Sequence, residues 1–268
     1  MVADALGDRM KDYYENRSKT YLTRRTPVII RIDGVHFHTF TKGLKKPFDE
    51  VFIKVMQMTT KDLCENIQGC KIAYVESDEI SLLLTDYDTL QTDAWFEYSV
   101  QKLCSVAASM TAMFFNRNWL KVTEQFYKDF VEDNWREDEN ERYYNNVLLK
   151  KVELGGYFDA RAFNIPKEEI TNYFIWRQND ATRNSIQSLG RAHFSQKELS
   201  GLNNSQIQDK LHEEKGINWN DCSVVEKRGT CVKRNMNEEK SSWIIDTNIP
   251  IFTQDRNYIE EVLPKEEV

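Results

Sequence analysis

The sequence predicts an α+β fold built on a ferredoxin-like β-α-β-β-α-β sheet with helices on one face, followed by a mainly helical C-terminal part. Three observations predict it. First, the initial 90 residues contain three short aliphatic and β-branched runs. Second, two segments, one between these runs and one after them, carry apolar residues at helical spacing. Third, a fourth strand candidate follows near residue 160. Short apolar runs are typical of buried strands, and an apolar period of 3.6 residues is typical of helices that pack on them.

The predicted elements follow one another in the order that this fold requires. The strands are predicted at residues 28–32, 71–75 and 80–84 and in the stretch "GGYFDARAFNIP". One helix is expected between Phe52 and Ile67, and a second between Phe96 and Phe114, because each segment keeps its apolar residues on one helical face. Residues 4–22 are expected to form a weakly amphipathic helix ahead of the first strand.

The chain divides into two predicted domains. Residues 1–166 are expected to form the catalytic domain, and residues 167–268 a mainly helical C-terminal region. The stretch "PKEEITNYFIWRQNDATRNSIQSLGRAHF" predicts a long helix or a pair of helices, and Gly201 and Gly216 end two shorter ones. The stretch "VEKRGTCVKR" predicts a basic hairpin with four cations.

Composition narrows the class of protein. The chain has 268 residues, 40% of them apolar, and a net charge of −7. A negative net charge does not indicate that the protein binds nucleic acid, although a local basic surface can exist on such a protein. The five cysteines are odd in number and form no CxxC pair, which argues against a disulfide framework or a zinc knuckle and favours the cytoplasm. The sequence contains no run of about 18 apolar residues, so no membrane-spanning helix is predicted.

Two acidic side chains are expected to meet at one end of the sheet. Asp33 ends the first predicted strand, and Asp78 lies at the bend between the second and third. Because the first strand of this fold lies beside the third, the two carboxylates should repel each other unless one is protonated or a cation neutralises both. Oxygen ligands alone favour Mg²⁺, and Gly34 allows its carbonyl to approach a metal or phosphate closely.

Strand alternation predicts that Glu76 and Asp78 point to one face of the sheet and Glu79 to the other. The alternative explanation is ordinary turn chemistry, since "DG" and "SDE" are common in turns. His36 and His38 could also be metal ligands, but their spacing after a strand suits one exposed and one packed ring. Two Mg²⁺ ions about 3.5–4 Å apart would support phosphoryl transfer.

Several motifs resemble those of a known family. The stretches "RIDGVHFHTF", "KKPFDE", "AYVESDEIS", "FDARAFNIP" and "WRQNDATRNSI" resemble the tRNA-histidine guanylyltransferase superfamily, and most closely its Thg1-like branch of reverse (3′-to-5′) RNA polymerases, over about residues 4–234. The resemblance implies a polymerase-like palm. It also implies addition of nucleotides to the 5′ end of tRNA, in which the 3′-hydroxyl of an incoming NTP attacks a 5′ phosphate activated by ATP or already present as a triphosphate.

The resemblance also implies the roles of particular residues. It implies two Mg²⁺ ions per active site, bound by Asp33, the carbonyl of Gly34 and Asp78, with Glu79 as a third catalytic residue in a supporting role. The implied nucleotide-binding residues are Val35, His36, Phe37, Lys46, Asp49, Ser77 and Lys102. The implied partners are tRNA, GTP and ATP, no membrane is involved, and a homotetramer is expected.

One departure from the family pattern bears on the substrate. Guanylyltransferases proper carry a "HINN"-type run after "WRQ.D", whereas this chain has "TRNSI" and lacks that histidine. The difference favours the branch that repairs truncated tRNA 5′ ends by copying the opposite strand. Cations of the C-terminal half could form a face that tracks phosphates. The RNA-binding residues expected on these grounds are Arg177, Arg183, Asn184, Lys227 and Arg228.

Two other functions fit parts of the pattern. A nucleotide or diguanylate cyclase shares a palm with two metal-binding carboxylates, but it would need no RNA-binding face. A catalytically silent RNA-binding module shares the β-α-β-β-α-β order, but it needs exposed aromatic residues on the central strands. The first two strands after the N-terminal segment offer only Tyr74, which disfavours that reading.

Overall fold

A six-stranded antiparallel sheet lies at the centre of the protein. The computed structural model describes residues 5–132, 139–235 and 242–264. The strands are β1 (Val28–Gly34), β2 (Cys70–Glu76), β3 (Glu79–Leu84), β4 (Phe158–Asn164), β5 (Thr230–Asn235) and β6 (Ser242–Asp246). Their order across the sheet is β4-β1-β3-β2-β5-β6.

The α-helices of the described residues are α1 (Ala5–Met10), α2 (Phe37–Phe40), α3 (Glu50–Asn66), α4 (Val100–Glu132), α5 (Glu139–Leu154), α6 (Ile170–His193), α7 (Gln196–Leu199), α8 (Asn204–Lys215), α9 (Val224–Arg228) and α10 (Asn257–Glu260). The succession β1, α3, β2, β3, α4, β4 is the predicted one. The first strand lies between the third and the fourth, as the pattern requires. The long stretch after Pro166 is one helix, α6, rather than a pair.

The second long helix starts later than its apolar pattern predicts. Phe96, Glu97 and Tyr98 have φ values of 51°, 54° and 59°, so this segment is a turn in the left-handed region and α4 begins at Val100. Residues other than glycine rarely adopt this region, because the Cβ atom approaches the following carbonyl oxygen. The apolar residues of the turn therefore do not continue the face of α4.

One face of the sheet packs against α3 and α4. The core on this side includes Ile30, Ile32 and Leu82 of the strands, with Val55 of α3 and Phe115 of α4, all essentially inaccessible to solvent. Burying each such side chain stabilises the fold by about 1.5–3 kcal/mol. The packing of α3 and α4 on this face of the sheet confirms the predicted layer of helices.

The opposite face is covered by α6, which corrects the prediction that helices lie on one face only. Ile29 and Leu83 of the sheet pack there with Ile170 and Phe174 of the helix. Residues 28–30 are fully buried in succession, so β1 is apolar on both sides and needs cover on both. Around β1 and β3, the sheet is therefore a middle layer between α6 on one face and α3 and α4 on the other.

The predicted basic hairpin is wrong. Its first half forms α9, and its second half forms β5, which pairs with β2 and with β6. Ser223 and Glu226 form a capping box that starts α9, and Gly229, with φ of 80°, separates helix from strand. The C-terminal region thus adds two strands to the sheet.

The N-terminal segment is less regular than the predicted amphipathic helix. After α1, residues 11–15 form a π-helical turn and residues 16–18 a 3₁₀ turn, and no residue of these three pieces is buried. Across the described residues, no helix combines the length and the apolar character that a membrane span requires.

Candidate active site

The hairpin between β2 and β3 determines where the acidic side chains point. Ser77 and Asp78 form its two-residue turn, with Ser77 at a φ of 51°, and Glu76 is paired directly with Glu79. Glu79 is in turn opposite Asp33 of β1. Residues directly opposite in antiparallel strands point to the same side, so these three carboxylates share the α6 face of the sheet.

This arrangement corrects the predicted orientation of Glu79. Straight alternation through the bend would place Glu79 opposite to Glu76, but the turn uses two residues and returns the chain to the same face. Glu79 therefore lies on the side of Asp33 rather than facing away from it. The predicted approach of Asp33 to the bend is confirmed, because the N–H of Gly34 donates to the carbonyl of Asp78 at 3.1 Å.

Gly34 is held between the two acidic residues and leaves no room for a side chain. A Cβ atom at this position would lie 2.3 Å from Cδ2 of Phe37 and 2.8 Å from Oδ2 of Asp78. Contacts below 3.0 Å to the buried ring of Phe37 require the neighbouring structure to shift. The absence of a side chain keeps the Gly34 backbone beside the Asp78 carboxylate.

The acidic groups are difficult to ionise together. Burial and, to a smaller extent, the nearby charge of Asp33 raise the pKa of Asp78 to about 6, against the hydrogen bond from the Ser77 hydroxyl. Burial and the charge of Glu79 raise the pKa of Glu76 to about 7. Burial also raises the pKa of Glu79, although Arg177 opposes the shift. A cation bound at this end of the sheet would relieve the repulsion.

Glu79 is held by a two-point ion pair with Arg177 of α6. The guanidinium donates through Nε to Oε1 at 2.6 Å and through Nη2 to Oε2 at 2.8 Å, and its Nη1 donates to Asp180 at 3.1 Å. Burial lowers the pKa of Arg177, but the charge of Glu79, the hydrogen bonds to it and the charge of Asp180 together outweigh burial, and the net shift of the pKa is upward. Arg177 is only 6% exposed, although it borders the cleft described below, and its role in RNA binding stays a prediction.

A cleft of about 780 Å³ opens beside these carboxylates. Its floor includes Asp33, Glu76, Ser77, Asp78 and Glu79. One wall is the loop before α3, which contributes Lys42, Lys45 and Lys46, and the other is the face of α6 with Asn184, Gln187, Ser188 and Arg191. An acidic floor between a lysine-rich loop and a polar helix suits a phosphate-bearing ligand that binds together with divalent cations.

The predicted nucleotide contacts in the loop before α3 have different environments. Lys46 is exposed and lines the cleft. Asp49 is buried, and its carboxylate caps α3 by accepting from the N–H of Phe52 at 2.9 Å, from the N–H of Lys45 at 2.8 Å and from the hydroxyl of Tyr144 at 2.7 Å. Asp49 therefore shapes the loop, and its predicted contact with a nucleotide stays a prediction.

The segment after Gly34 contributes less than predicted. The N–H of Val35 donates to the carbonyl of Tyr157 at 2.8 Å, and the ring of Phe37 is buried in an aromatic cluster with Phe40, Phe52, Phe115 and Phe158. The side chain of Phe37 is thus part of the core. His36 has a φ of 58°, and no described residue accepts a hydrogen bond from its N–H or from that of Phe37.

The remaining predicted residues are dispersed. Ser77 and Asn184 line the cleft, whereas Lys102 does not and lies 5.7 Å from the centre of the Phe96 ring. Arg183 is exposed and pairs with Asp180. Lys227 donates to the carbonyl of Asn220 at 2.5 Å and Arg228 to that of Ile249 at 3.2 Å; both belong to α9, which packs on α6.

Sequence reasoning missed the polar stripe of α6. Gln187 and Ser188 face the cleft together with Asn184 and Arg191. Their spacing of three, four and seven residues places them on one side of a helix, so the helical period alone could have identified the stripe. Lys42 was also missed, and it lines the cleft from the same loop as Lys46.

The residues present fit a magnesium site. Asp33 and Asp78 both line the floor of the cleft, the charge of Asp33 raises the pKa of Asp78, and Gly34 brings its backbone next to the Asp78 carboxylate without a side chain. Within the described ranges, no group of three or more acidic, histidine or cysteine side chains has the arrangement of a preformed metal site. Two carboxylates and one carbonyl, completed by phosphate oxygens and water, are a typical donor set for Mg²⁺.

Comparison with known proteins identifies the family. A sequence model described as Thg1, tRNAHis guanylyltransferase, matches residues 7–166. The chain belongs to this family. It is therefore a nucleotidyltransferase, and the enzymes of this family are metal-dependent.

The similarity extends over nearly the whole chain in solved structures. A bacterial tRNA(HIS) guanylyltransferase (Thg1)-like protein in complex with ATP is 43% identical, with a TM-score of 0.80, over 96% of this chain and 98% of that one. A complex of such a protein with GTP is 41% identical, with a TM-score of 0.76, over 97% and 99%. The tRNA(His) guanylyltransferase of Debaryomyces hansenii is 28% identical over 232 residues, covering 81% of this chain and 76% of that protein.

Proposed function

We propose that this family member is a templated 3′-to-5′ nucleotidyltransferase that adds nucleotides to the 5′ end of tRNA and restores truncated ends. The observation that carries the proposal is the meeting of Asp33 and Asp78 on the floor of a lysine-walled cleft. The strand order and the position of these acids at the strand ends match what a polymerase-like palm requires.

The proposed cofactor is a pair of Mg²⁺ ions held by Asp33, the carbonyl of Gly34 and Asp78. When bound, the ions would activate an attacking hydroxyl and stabilise the leaving oxygen. The chain itself supplies two further effects. Arg177 keeps the Glu79 carboxylate engaged at 2.6–2.8 Å, and the turn at Ser77 fixes the direction of Asp78.

The proposed nucleotide site is the cleft. Lys46 is exposed at its rim and provides a point charge for a triphosphate, while Ser77 offers a hydroxyl next to Asp78. The similar bacterial proteins in complexes with ATP and with GTP support this assignment. In the proposed reaction, the 3′-hydroxyl of the nucleotide in the cleft loses its proton and attacks the activated 5′ phosphate of the RNA. A phosphodiester bond forms, and the leaving group is AMP from an end activated by ATP or pyrophosphate from a 5′-triphosphate.

The proposal of templated repair rests on the sequence of α6. The run "TRNSI" lacks the histidine of guanylyltransferases proper, and Asn184 in this run lines the cleft. A site that copies an opposite strand needs no contact that selects one base. We therefore assign the choice of nucleotide to base pairing within the RNA rather than to α6.

The experiment is incubation of a 5′-truncated tRNA, labelled at its 3′ end, with all four NTPs and Mg²⁺. The expected result is growth at the 5′ end that follows the opposing strand, and a changed opposing base should change the nucleotide added. Addition of a guanosine nucleotide regardless of the opposing base would contradict the proposal that the opposite strand is copied. A cyclic product formed from a single NTP without RNA would instead support the cyclase alternative.

We further propose a cytoplasmic homotetramer. The five cysteines are free, which fits a reducing compartment. Leu6, Met10 and Tyr13 are exposed at the N-terminus and could supply part of a subunit interface. Sedimentation equilibrium of the wild type and of a Leu6→Glu, Met10→Glu variant tests this assignment, and an unchanged monomeric mass in both would contradict it.

A further inference from the structure

Asp33 borders a second surface in addition to the cleft. On the side of β4, which is the edge strand of the sheet, the chain presents residues that do not line the cleft. We call this surface the β4 shelf. It consists of Arg31, Val35, Tyr157, Asp159, Arg161 and Trp176.

Strand register places the shelf next to the reacting end of the sheet. Asp33 is directly opposite Asp159, and Arg31 is directly opposite Arg161. Opposed residues of antiparallel strands point to the same side, so Asp159 and Arg161 stand on the same face as Asp33. Both are exposed, and the ion pair between them, at 3.4 Å, is long and open to solvent.

Two large aromatic side chains stand exposed on this shelf. Trp176 is 51% exposed, although its neighbours Tyr173 and Phe174 on α6 are buried. Tyr157, just before β4, is 66% exposed. The guanidinium carbons of Arg177 and Arg31 lie 4.6 Å and 5.8 Å from the centre of the Trp176 ring. The surface therefore combines aromatic faces with cations within reach of Asp33.

We propose that the β4 shelf holds the reacting end of an RNA strand, with a base stacked on Trp176 or Tyr157 and its phosphates near Arg31 and Arg161. The inference rests on the proposed function and adds to it a place for the second substrate. Stacking on an aromatic ring accepts any base, because every base has a π-face. A template-directed enzyme needs that tolerance, since successive ends of the RNA differ in sequence.

The chemistry of the shelf favours a polynucleotide over other occupants. Arg31 and Arg161 match a phosphate backbone, and the shelf presents the exposed ion pair of Arg161 and Asp159 as well as its aromatic rings. Continuity with Asp33 places one substrate on the shelf and the other in the cleft, on either side of the same carboxylate. A single mononucleotide in the cleft would leave the shelf rings unused.

Binding of a short RNA stem with a recessed 5′ end, measured by fluorescence anisotropy, tests the proposal. We expect Trp176→Ala and Tyr157→Ala each to weaken RNA binding by about 10-fold, the scale of one stacked base. Trp176→Phe should retain most of the affinity. The matched control is Tyr143→Ala, because Tyr143 of α5 is also 66% exposed but lies outside the shelf and the cleft.

An abasic residue at the 5′ end of the RNA separates stacking from a general surface effect. It should weaken binding to the wild type by a similar factor and should cause no further loss in the alanine variant that lacks its ring. Arg161→Ala should reduce the slope of the logarithm of RNA affinity against the logarithm of salt concentration by about 1, the change expected for the loss of one phosphate contact. The KM for free NTP should stay unchanged in the control variant Tyr143→Ala.

The inference is overturned if both alanine variants bind RNA as tightly as the wild type, or if Tyr143→Ala loses as much. It is also overturned if the variants lose ATP or GTP binding while RNA affinity is unchanged, since the shelf would then be a nucleotide site. Failure of the proposed function gives a different result. The wild type would bind the RNA through the shelf without extending its 5′ end.

Discussion

Asp33 and Asp78 are the side chains on which the proposed chemistry depends. Each comes from a different strand end, and the fold brings them to the floor of one cleft. Replacing either by Ala should reduce nucleotide addition by about 1,000-fold or more, because the site would lose a ligand for the cation that offsets charge in the transition state. Single-turnover assays at saturating Mg²⁺ measure the loss.

The control for these variants is binding rather than turnover. Far-ultraviolet circular dichroism and RNA anisotropy should be nearly unchanged, since neither carboxylate supports the hydrophobic core. Near-normal turnover in both Asp33→Ala and Asp78→Ala would mean that the metal site lies elsewhere.

Glu76 makes the stability of the protein depend on pH. Its pKa in the fold is about 7, above the ordinary value of 4.5, mainly because of burial. The folded state therefore binds the proton more tightly than the unfolded state, and stability falls as pH rises from about 4.5 to about 7. Glu76→Gln should remove this loss and raise the Tm at pH 8 in a chelator by about 2–4 °C.

At pH 4 the Glu76→Gln variant and the wild type should melt at the same temperature, because both side chains are then neutral. A difference in Tm that is equal at pH 4 and pH 8 would show that packing, and not charge, is responsible. Differential scanning calorimetry across this range distinguishes the two.

Arg177 is the partner that makes a buried Glu79 tolerable. Arg177→Met should destabilise the fold by about 3–5 kcal/mol, because it leaves a buried carboxylate unpaired. Arg177→Lys should be intermediate, since an ammonium cannot make both bonds of the guanidinium fork. Urea denaturation measures the change in the free energy of unfolding.

The double variant Arg177→Met, Glu79→Gln tests the cause. It should recover most of the lost stability, because it removes the buried charge together with its partner. If the double variant is as unstable as Arg177→Met alone, then lost packing of the long arginine side chain, rather than the ion pair, dominates.

Single residues show what the sequence can and cannot reveal about the site. The approach of Asp33 to Asp78 follows from strand order, which the sequence pattern predicts. The side to which Glu79 points depends on the left-handed conformation of Ser77, and serine gives no signal for that conformation. The burial of Arg177 depends on where α6 docks, which is a tertiary property.

The contact between α5 and the loop before α3 sets the position of Lys46. The hydroxyl of Tyr144 donates to Asp49, and Lys45 pairs with Glu141 at 3.2 Å and lies 4.5 Å from the centre of the Tyr144 ring. Tyr144→Phe removes one hydrogen bond from the group that fixes the loop. We expect the KM for NTP to rise about 3- to 10-fold, with a smaller change in kcat.

Tyr143→Phe is the matched control, because Tyr143 is the adjacent residue of α5 and is exposed. Its steady-state constants should equal those of the wild type. An unchanged KM in Tyr144→Phe would mean that the loop keeps its shape without this hydrogen bond, and that Lys46 does not depend on α5.

Whole elements are predicted well where their signal is local. The apolar period of α3 and the aliphatic runs of β1, β2 and β3 are complete within their own segments. The pairing of β5 with β2 joins residues more than 150 positions apart, and no local pattern encodes it. The capping box of Ser223 and Glu226 was the one local sign that this stretch begins as a helix.

At the scale of the whole molecule, cation binding and folding are coupled through one end of the sheet. Buried carboxylates at this end repel one another in the absence of metal. Millimolar Mg²⁺ should therefore raise the Tm of the wild type, as any ligand of the folded state does. Asp33→Ala should show a much smaller rise.

A chelator titration in the same instrument gives the check for this prediction. An equal rise in Tm for the wild type and for Asp33→Ala would place the stabilising cation at a different site. Ca²⁺ serves as a second probe, since it also prefers oxygen ligands.

The position of β4 at the margin of the sheet has a consequence for the size of the substrate. Among the strands that the structure describes, β4 alone lies between Asp33 and that edge of the sheet. A folded RNA much larger than this enzyme can therefore be laid against the margin from the side, with no tunnel to thread. After each addition the RNA has to shift outward by one nucleotide, so the growing product does not have to pass through the protein.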